Sequence, residues 1–89
     1  MKINGIKLPR IKSYVVNTVD ADGRLVCKSR YAKKTNKLLK DVFFYSDGKT
    51  ISSVTRYNPD DGSILQDTFF STRGKYLASL SQADYDGFK

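Results

Sequence analysis

The chemistry open to this chain depends on its carboxylates, because the usual nucleophile and base combinations are missing. It contains nine Asp, no Glu, no His and one Cys in 89 residues. Without His it can form neither a Ser-His-Asp triad, nor a Cys-His pair, nor a Cys/His zinc site. Asp41 and Asp67 recur inside strand-like segments and are a conceivable acid–base pair. Nothing else supports that chemistry, so we predict no catalytic residues and no enzyme.

The remaining carboxylates lie mostly in turn sequences. There an Asp side chain accepts hydrogen bonds from nearby backbone N–H groups. Two loops bring carboxylates close together, one with Asp60 and Asp61 and one with Asp84 and Asp86. Calcium takes about six to eight oxygen ligands, and neither loop offers that density or a known spacing. The sequence therefore predicts turn-capping roles, no metal site and no cofactor.

Positive charge is concentrated in the first half of the chain. Residues 1–40 hold 11 basic and 2 acidic side chains, whereas residues 41–89 hold 5 basic and 7 acidic ones. Alternate basic residues of a strand share one face, and further lysines crowd the turn that follows. A block of this kind steers an anionic partner towards one end of a domain. The residues predicted to contact that partner are Arg24, Lys28, Arg30, Lys33, Lys34, Lys37 and Lys40.

Length and composition indicate one small folded domain. Hydrophobic residues make up 39% and aromatic residues 12% of the chain, which is too much for a disordered segment despite the net charge of +7. No apolar run approaches the length of a membrane span, so we predict no membrane contact. The unpaired Cys27 and the absence of a secretory signal predict a reducing cytoplasm. We expect a basic N-terminal arm or edge strand over residues 1–11 and a single β-repeat domain over residues 12–89.

An internal repeat of 26 residues organises the domain. When residues 38–63 are set against residues 64–89, Asp41 falls on Asp67, Phe43 on Phe69 and Gly48 on Gly74. Turn signals rich in Asp, Gly and Asn recur every 11 to 15 residues, a spacing typical of short strands. Asn36 takes the place of Gly62, and both residue types tolerate the positive φ of a turn. The prediction is an all-β, six-stranded antiparallel meander built from three hairpin repeats of about 26 residues, with strands near 12–19, 24–31, 37–45, 50–57, 63–71 and 76–82.

Both faces of this predicted sheet carry large apolar side chains. Phe43–Phe44 and Phe69–Phe70 each place one ring on either side. A flat sheet would leave one set of rings in water, and large exposed apolar patches mark contact surfaces. Two outcomes are open. The sheet curls into a barrel or sandwich, which we favour slightly, or its second face meets a partner chain, for example in a homodimer.

Residues 44–51, together with the segment Arg56-Tyr57-Asn58-Pro59-Asp60-Asp61-Gly62, resemble one unit of the tandem tyrosine–aspartate repeats of the Rhs type. The resemblance covers about residues 20–88. Tyr85-Asp86 preserves the dipeptide that names these repeats, whereas Asn follows Tyr57 and Ala follows Tyr31. The resemblance implies sheets of β-hairpins with structural or adhesive roles.

The function expected from these features is a non-enzymatic binding module. Its basic half contacts an anionic partner, and nucleic acid is favoured because the basic side chains are interleaved with tyrosines. The alternative is a small protein-interaction module, such as a phage- or bacterium-encoded inhibitor of a larger protein machine with an acidic surface. In that case exposed aromatic rings anchor the partner, and the residues predicted for this contact are Phe43, Phe69 and Tyr45.

Overall fold

The computed structural model describes residues 12–87 as one open antiparallel sheet followed by a short helix. The strands pair in chain order, so the predicted six-stranded meander is confirmed. The predicted arm over residues 1–11 lies outside the described residues. The elements are β1 (Ser13–Val19), β2 (Leu25–Ala32), β3 (Leu38–Phe44), β4 (Ile51–Tyr57), β5 (Ile64–Phe70), β6 (Tyr76–Leu80) and α1 (Gln82–Asp86).

Each of the five hairpin turns contains one residue with positive φ. Four of these residues are glycines, and the fifth is Asn36 with a φ of 59°. The predicted equivalence with Gly62, whose φ is 76°, is confirmed. Both turns have the same size, because Ala32 pairs with Lys37 and Asn58 with Ser63 through backbone hydrogen bonds. These two turns lie at one end of the sheet, which we call the even end; the other three turns lie at the odd end.

A β-bulge follows every turn. In each strand pair the register skips one residue near the start of the later strand, which leaves two residues opposite one. The skipped residues are about 13 positions apart, half of the sequence period, and most are large and apolar. They are Val26, Leu39, Ser52, Leu65 and Leu77.

The sheet does not close into a barrel. The sequence slightly favours a sheet curled into a barrel or a sandwich, and the barrel form of that prediction is wrong. A barrel needs neighbouring strands to be staggered so that the offsets add up around the circumference. Here one row of paired residues crosses β1 to β5 near their centres and reaches β6 at its last residue. This central row consists of Val16, Ser29, Asp41, Thr55, Asp67 and Leu80.

Burial is shallow because the sheet forms a single layer over the described residues. Cys27, Ala32, Asp41 and Thr55 are buried, and none of the large side chains is fully enclosed. Polar groups therefore take up half of the buried positions. With so little enclosed core, the chemistry of the protein depends on the residues of the two faces of the sheet and on the partners of their polar groups.

The segment with Asp84 and Asp86, predicted to be a loop, is a helix instead. Ser81 accepts a hydrogen bond from the backbone N–H of Asp84, and the Asp84 side chain accepts one from the Ser81 backbone, which is a capping box. Gln82 accepts a hydrogen bond from the Ile64 backbone at 3.2 Å and so ties this end of the chain to β5. Over residues 12–87 no helix has the length and apolar character to cross a membrane.

Candidate functional site

The two faces of the sheet differ in charge. Cross-strand pairing places Asp41 and Asp67 on one face, which we call the carboxylate face. The basic residues within the strands share the opposite face, which we call the basic face. They are Lys28, Arg30, Lys40 and Arg56. Among the described strand residues, the basic face has no carboxylate and the carboxylate face has no cation.

Three of these cations are direct cross-strand neighbours. Arg30 of β2 pairs with Lys40 of β3, and Lys40 pairs in turn with Arg56 of β4. Adjacent strands are about 4.8 Å apart, so the three Cα positions span only about 10 Å. We call Arg30, Lys40 and Arg56 the cation row. Val15 and Gln66 extend it by one uncharged residue on either side.

The cation row is electrostatically unfavourable in the isolated sheet. Like charges directly opposite each other on neighbouring strands destabilise the pairing. Arg30 donates a hydrogen bond to Ser13 Oγ at 2.7 Å, which is a neutral acceptor and leaves the charge uncompensated. Lys40, between the two arginines, is half-buried. An anion bound across the three side chains would relieve their repulsion.

Arg56 was not among the predicted contact residues, although the sequence contains the signal that identifies it. Arg56 follows Arg30 by 26 residues, one full repeat, so the two must occupy equivalent places in successive hairpins. The strand between them contributes Lys40 at the same level. The repeat therefore predicts the row once the strand order is known.

A concave surface with a strong positive charge lies at the even end. It has a volume of about 680 Å³, and its apolar part consists of Ala32, Leu39 and Pro59. Asp60 also lines it. Along β2, Ala32 follows Arg30 by two residues on the same face, so the groove begins at the next position on that face beyond Arg30. We call it the lysine groove, after Lys12, Lys33, Lys34 and Lys37.

The structure divides the predicted basic residues. Lys28 shares the basic face with the cation row, one pair closer to the odd end, where it is opposite Val42. Arg24 precedes β2 at the odd end and forms an ion pair with Asp22 at 3.3 Å. It is therefore distant along the sheet from the lysines of the groove, and the predicted grouping of Arg24 with them is not what the fold provides.

The predicted aromatic contacts lie away from the cation row. Phe43 and Phe69 are on the carboxylate face, each paired with Ser53. Phe43 is 37% exposed, and Phe69 is half-buried. Tyr45 is half-buried and donates a hydrogen bond to the Phe70 carbonyl at 2.5 Å, which gives it a role in joining two hairpins.

The carboxylate face repeats a hydroxyl–carboxylate cluster. Asp41 accepts hydrogen bonds from Ser29 Oγ at 2.5 Å and from the Tyr57 hydroxyl at 3.1 Å. Within the described strands no basic residue lies beside either carboxylate, because the alternation of side chains along each strand places those cations on the other face. In the second cluster, Asp67 accepts hydrogen bonds from Thr55 at 2.8 Å and from Tyr85 at 2.6 Å.

The clusters hold the phenols protonated. Burial and the hydrogen bond to Asp41 raise the pKa of Tyr57 to about 12. The hydrogen bond to Asp67 raises the pKa of Tyr85 to about 12 as well. Both phenols ordinarily titrate near pH 10. They act as donors to fixed carboxylates, an arrangement that stiffens the sheet.

These pKa values predict a loss of stability in alkali. A raised folded-state pKa of a phenol contributes stability that is fully present below about pH 10 and is lost as the pH rises through about 12. We expect the urea midpoint to fall over this range more steeply for the wild type than for a Tyr57→Phe, Tyr85→Phe double variant. Tyr76→Phe, at an exposed position, is the control. Equal slopes for the wild type and the double variant would contradict the assignment.

Over residues 12–87 no three His, Cys, Asp or Glu side chains come together in a way that could hold a metal ion.

The profile of one family, described as a protein of unknown function (DUF2963), matches residues 20–69, which is 50 of the 89 residues. The match includes the whole cation row and both hydroxyl–carboxylate aspartates. No curated protein and no solved structure matches the chain. The matched segment covers more than half of the sequence, and the chain therefore belongs to the DUF2963 family.

Proposed function

We propose that this protein is a non-enzymatic binding module for nucleic acid, which it contacts through the phosphate backbone. The observation that carries the proposal is the cation row, in which Arg30, Lys40 and Arg56 are cross-strand neighbours on a face without carboxylates in its described strands. Such a row costs stability in the free protein. A polyanion with closely spaced charges offsets that cost most effectively.

The lysine groove extends the same surface. The four lysines of the groove and the three residues of the cation row together give seven cations in the part of the sheet near the even end. Phosphate contacts by Lys and Arg fix the position of a nucleic acid without reading its sequence. Phe44 lies four residues after Lys40 in β3 and therefore on the same face. Its ring gives an unstacked base an apolar surface to contact. The expected mode is therefore backbone binding with little sequence preference.

The predicted compartment belongs to the same proposal. Cys27 is a buried free thiol beside Ser29 Oγ, at 3.5 Å. A reducing cytoplasm keeps such a thiol unmodified and is the compartment where nucleic acid is available. We assign the protein there on this basis.

A second candidate is a protein-interaction module that inhibits a larger protein machine. Phe43 and Phe69 flank Ser53 on the carboxylate face, and Phe43 is 37% exposed. One exposed ring beside a half-buried one offers a protein partner an aromatic anchor. Such binding would tolerate salt and would be lost in a Phe43→Ser variant, whereas nucleic-acid binding would persist.

The test is a titration of the full chain against labelled single-stranded and double-stranded DNA and RNA. At about 50 mM salt we expect micromolar or tighter binding, and at about 200 mM salt a loss of at least tenfold, because each neutralised phosphate releases a counterion. Oligomers of different sequence should bind within about threefold of each other. No binding to any of the four at the lower salt would overturn the proposal.

A further inference from the structure

The central row changes character at both edges of the sheet. Its four inner members are polar and bonded to one another in pairs, Ser29 to Asp41 and Thr55 to Asp67. Its two outer members are apolar. Val16 occupies the place in β1 that Asp41 occupies in β3, and Leu80 occupies the place in β6 that Thr55 occupies in β4.

The two edge strands also lack the usual protection against pairing. Natural edges carry Lys, Pro or inward-pointing charges that prevent another strand from adding to the sheet. The residues of β1 and β6 include no charge and no proline. Val16 is 45% exposed, and Leu77 is 61% exposed. Within residues 12–87, β1 pairs only with β2 and β6 only with β5.

We propose that these two edges bind each other between copies, so that β6 of one chain pairs with β1 of a second chain. Odd and even strands run in opposite directions, so β1 of the second copy continues the antiparallel alternation after β6. In the register of the five internal pairs, Leu80 is opposite Val16 of the second copy and Ala78 is opposite its Thr18. At the junction, an apolar pair therefore occupies the place that a hydroxyl–carboxylate pair has between the inner strands.

The apolar pair is what identifies the occupant as a second copy. Within one chain, Val16 is opposite the polar Ser29 and Leu80 is opposite the polar Asp67. At the junction each of the two apolar side chains gains the other as an apolar cross-strand neighbour. Apolar cross-strand pairs stabilise a sheet, and only the other edge of this chain offers such a partner at this level of the row. Because this contact is head-to-tail and uses different surfaces, each added copy leaves one free edge of each kind, so association continues beyond a dimer.

The basic face runs unbroken along such an assembly. Each copy contributes one cation row at the same level of the sheet, so rows recur with every six strands. The self-association is inferred from the edges alone and does not depend on the proposed nucleic-acid binding. It is therefore tested without nucleic acid present.

The test is the mass of the purified full chain, measured by sedimentation velocity between about 1 and 100 µM. A junction of one strand pair is a small interface, so we expect association in the micromolar range. The mean mass should rise steadily with concentration and pass that of a dimer. A chain that stays monomeric at the highest concentration would overturn the proposal.

Two single variants separate this junction from symmetric ones. Val16→Lys blocks the β1 edge, and Leu80→Lys blocks the β6 edge. Each variant alone should be monomeric, whereas an equimolar mixture should form a 1:1 dimer, because it retains one native junction while the other opposes two introduced lysines. Leu65→Lys, at a position that is 56% exposed on an internal strand, is the matched control and should associate like the wild type.

The other outcomes contradict the head-to-tail junction. If Leu80→Lys still dimerises by itself, the contact joins two β1 edges. If Val16→Lys does so, the contact joins two β6 edges. Circular dichroism and thermal midpoints of all the variants show that they remain folded. Failure of the mixture to dimerise when both variants are folded would also overturn the proposal.

Discussion

Replacing Asp41 with Ala is expected to lower the free energy of unfolding by about 3 kcal/mol. Asp41 is only 8% exposed, and it accepts hydrogen bonds from Ser29 and Tyr57. Its removal leaves two partly buried hydroxyl groups without their acceptor, at about 1–3 kcal/mol for each group that finds no substitute. For a domain of this size the thermal midpoint should fall by about 15 °C.

Two further variants make this prediction specific. Asp41→Asn keeps one carbonyl acceptor and should lose about half as much stability. Asp60→Ala removes an exposed carboxylate from a turn in which Asn58 accepts the backbone hydrogen bond, and it should change the stability by less than about 0.5 kcal/mol. The measurement is urea unfolding at neutral pH. If Asp41→Ala and Asp60→Ala cost the same, the cluster does not stabilise the sheet.

The architecture could be predicted from the sequence because turns and strands follow local rules. The positions of Asn36 and Gly62 mark equivalent turns, and both have the predicted positive φ. The strands lie within two residues of their predicted bounds. The β-hairpin sheet expected from the resemblance to tyrosine–aspartate repeats agrees with this fold, whereas kinship with those repeats stays a prediction.

The faces of the strands were harder to predict, because a single residue of difference in a turn inverts them. Ser53 and Ser79 are one repeat apart, yet Ser53 is on the carboxylate face and Ser79 is on the basic face, where it pairs with Thr68. The turn between β3 and β4 closes with Tyr45 and Thr50, and the turn between β5 and β6 closes with Ser71 and Lys75. The later turn is one residue shorter, so the alternation shifts by one.

The partners of the buried carboxylates depend on pairing between strands, which composition does not show. Asp41 follows Lys40 directly, and their proximity in sequence suggests a basic neighbourhood. In a strand, consecutive side chains point to opposite faces, so this proximity separates the charges. The short helix was missed for a different reason. Its capping box, Ser81 with Asp84, was present in the sequence but lay within a segment that also resembles a turn.

Replacing the whole cation row is expected to weaken nucleic-acid binding by on the order of 100-fold at about 50 mM salt. The variant combines Arg30→Gln, Lys40→Gln and Arg56→Gln. If each cation neutralises one phosphate, the slope of log affinity against log salt should fall by about 3. The loss should be similar for oligomers of different sequence, because phosphate contacts carry no sequence information.

A second triple variant controls for net charge. Lys49→Gln, Arg73→Gln and Lys75→Gln remove the same number of charges from turns at the odd end. Long-range attraction depends on total charge, which both triple variants reduce from +7 to +4. We expect the odd-end variant to lose less than about tenfold in affinity, with a salt slope close to that of the wild type. Equal losses would show that binding is a property of the net charge and would contradict a specific site at the row.

The stability of the cation-row variant provides an independent readout. Like charges on neighbouring strands repel, so their removal should raise the free energy of unfolding by about 1 kcal/mol, even though Arg30 loses its hydrogen bond to Ser13. A variant that binds less tightly and yet unfolds less readily cannot owe its weaker binding to damage of the fold. If the variant were less stable than the wild type, the row would be a structural element, held by contacts other than those with an anion. We therefore expect the cation-row variant to be more stable than the wild type and to bind nucleic acid less tightly. A surface selected for an anionic partner requires this combination, because the repulsion between its cations is tolerated in the free protein and relieved in the complex.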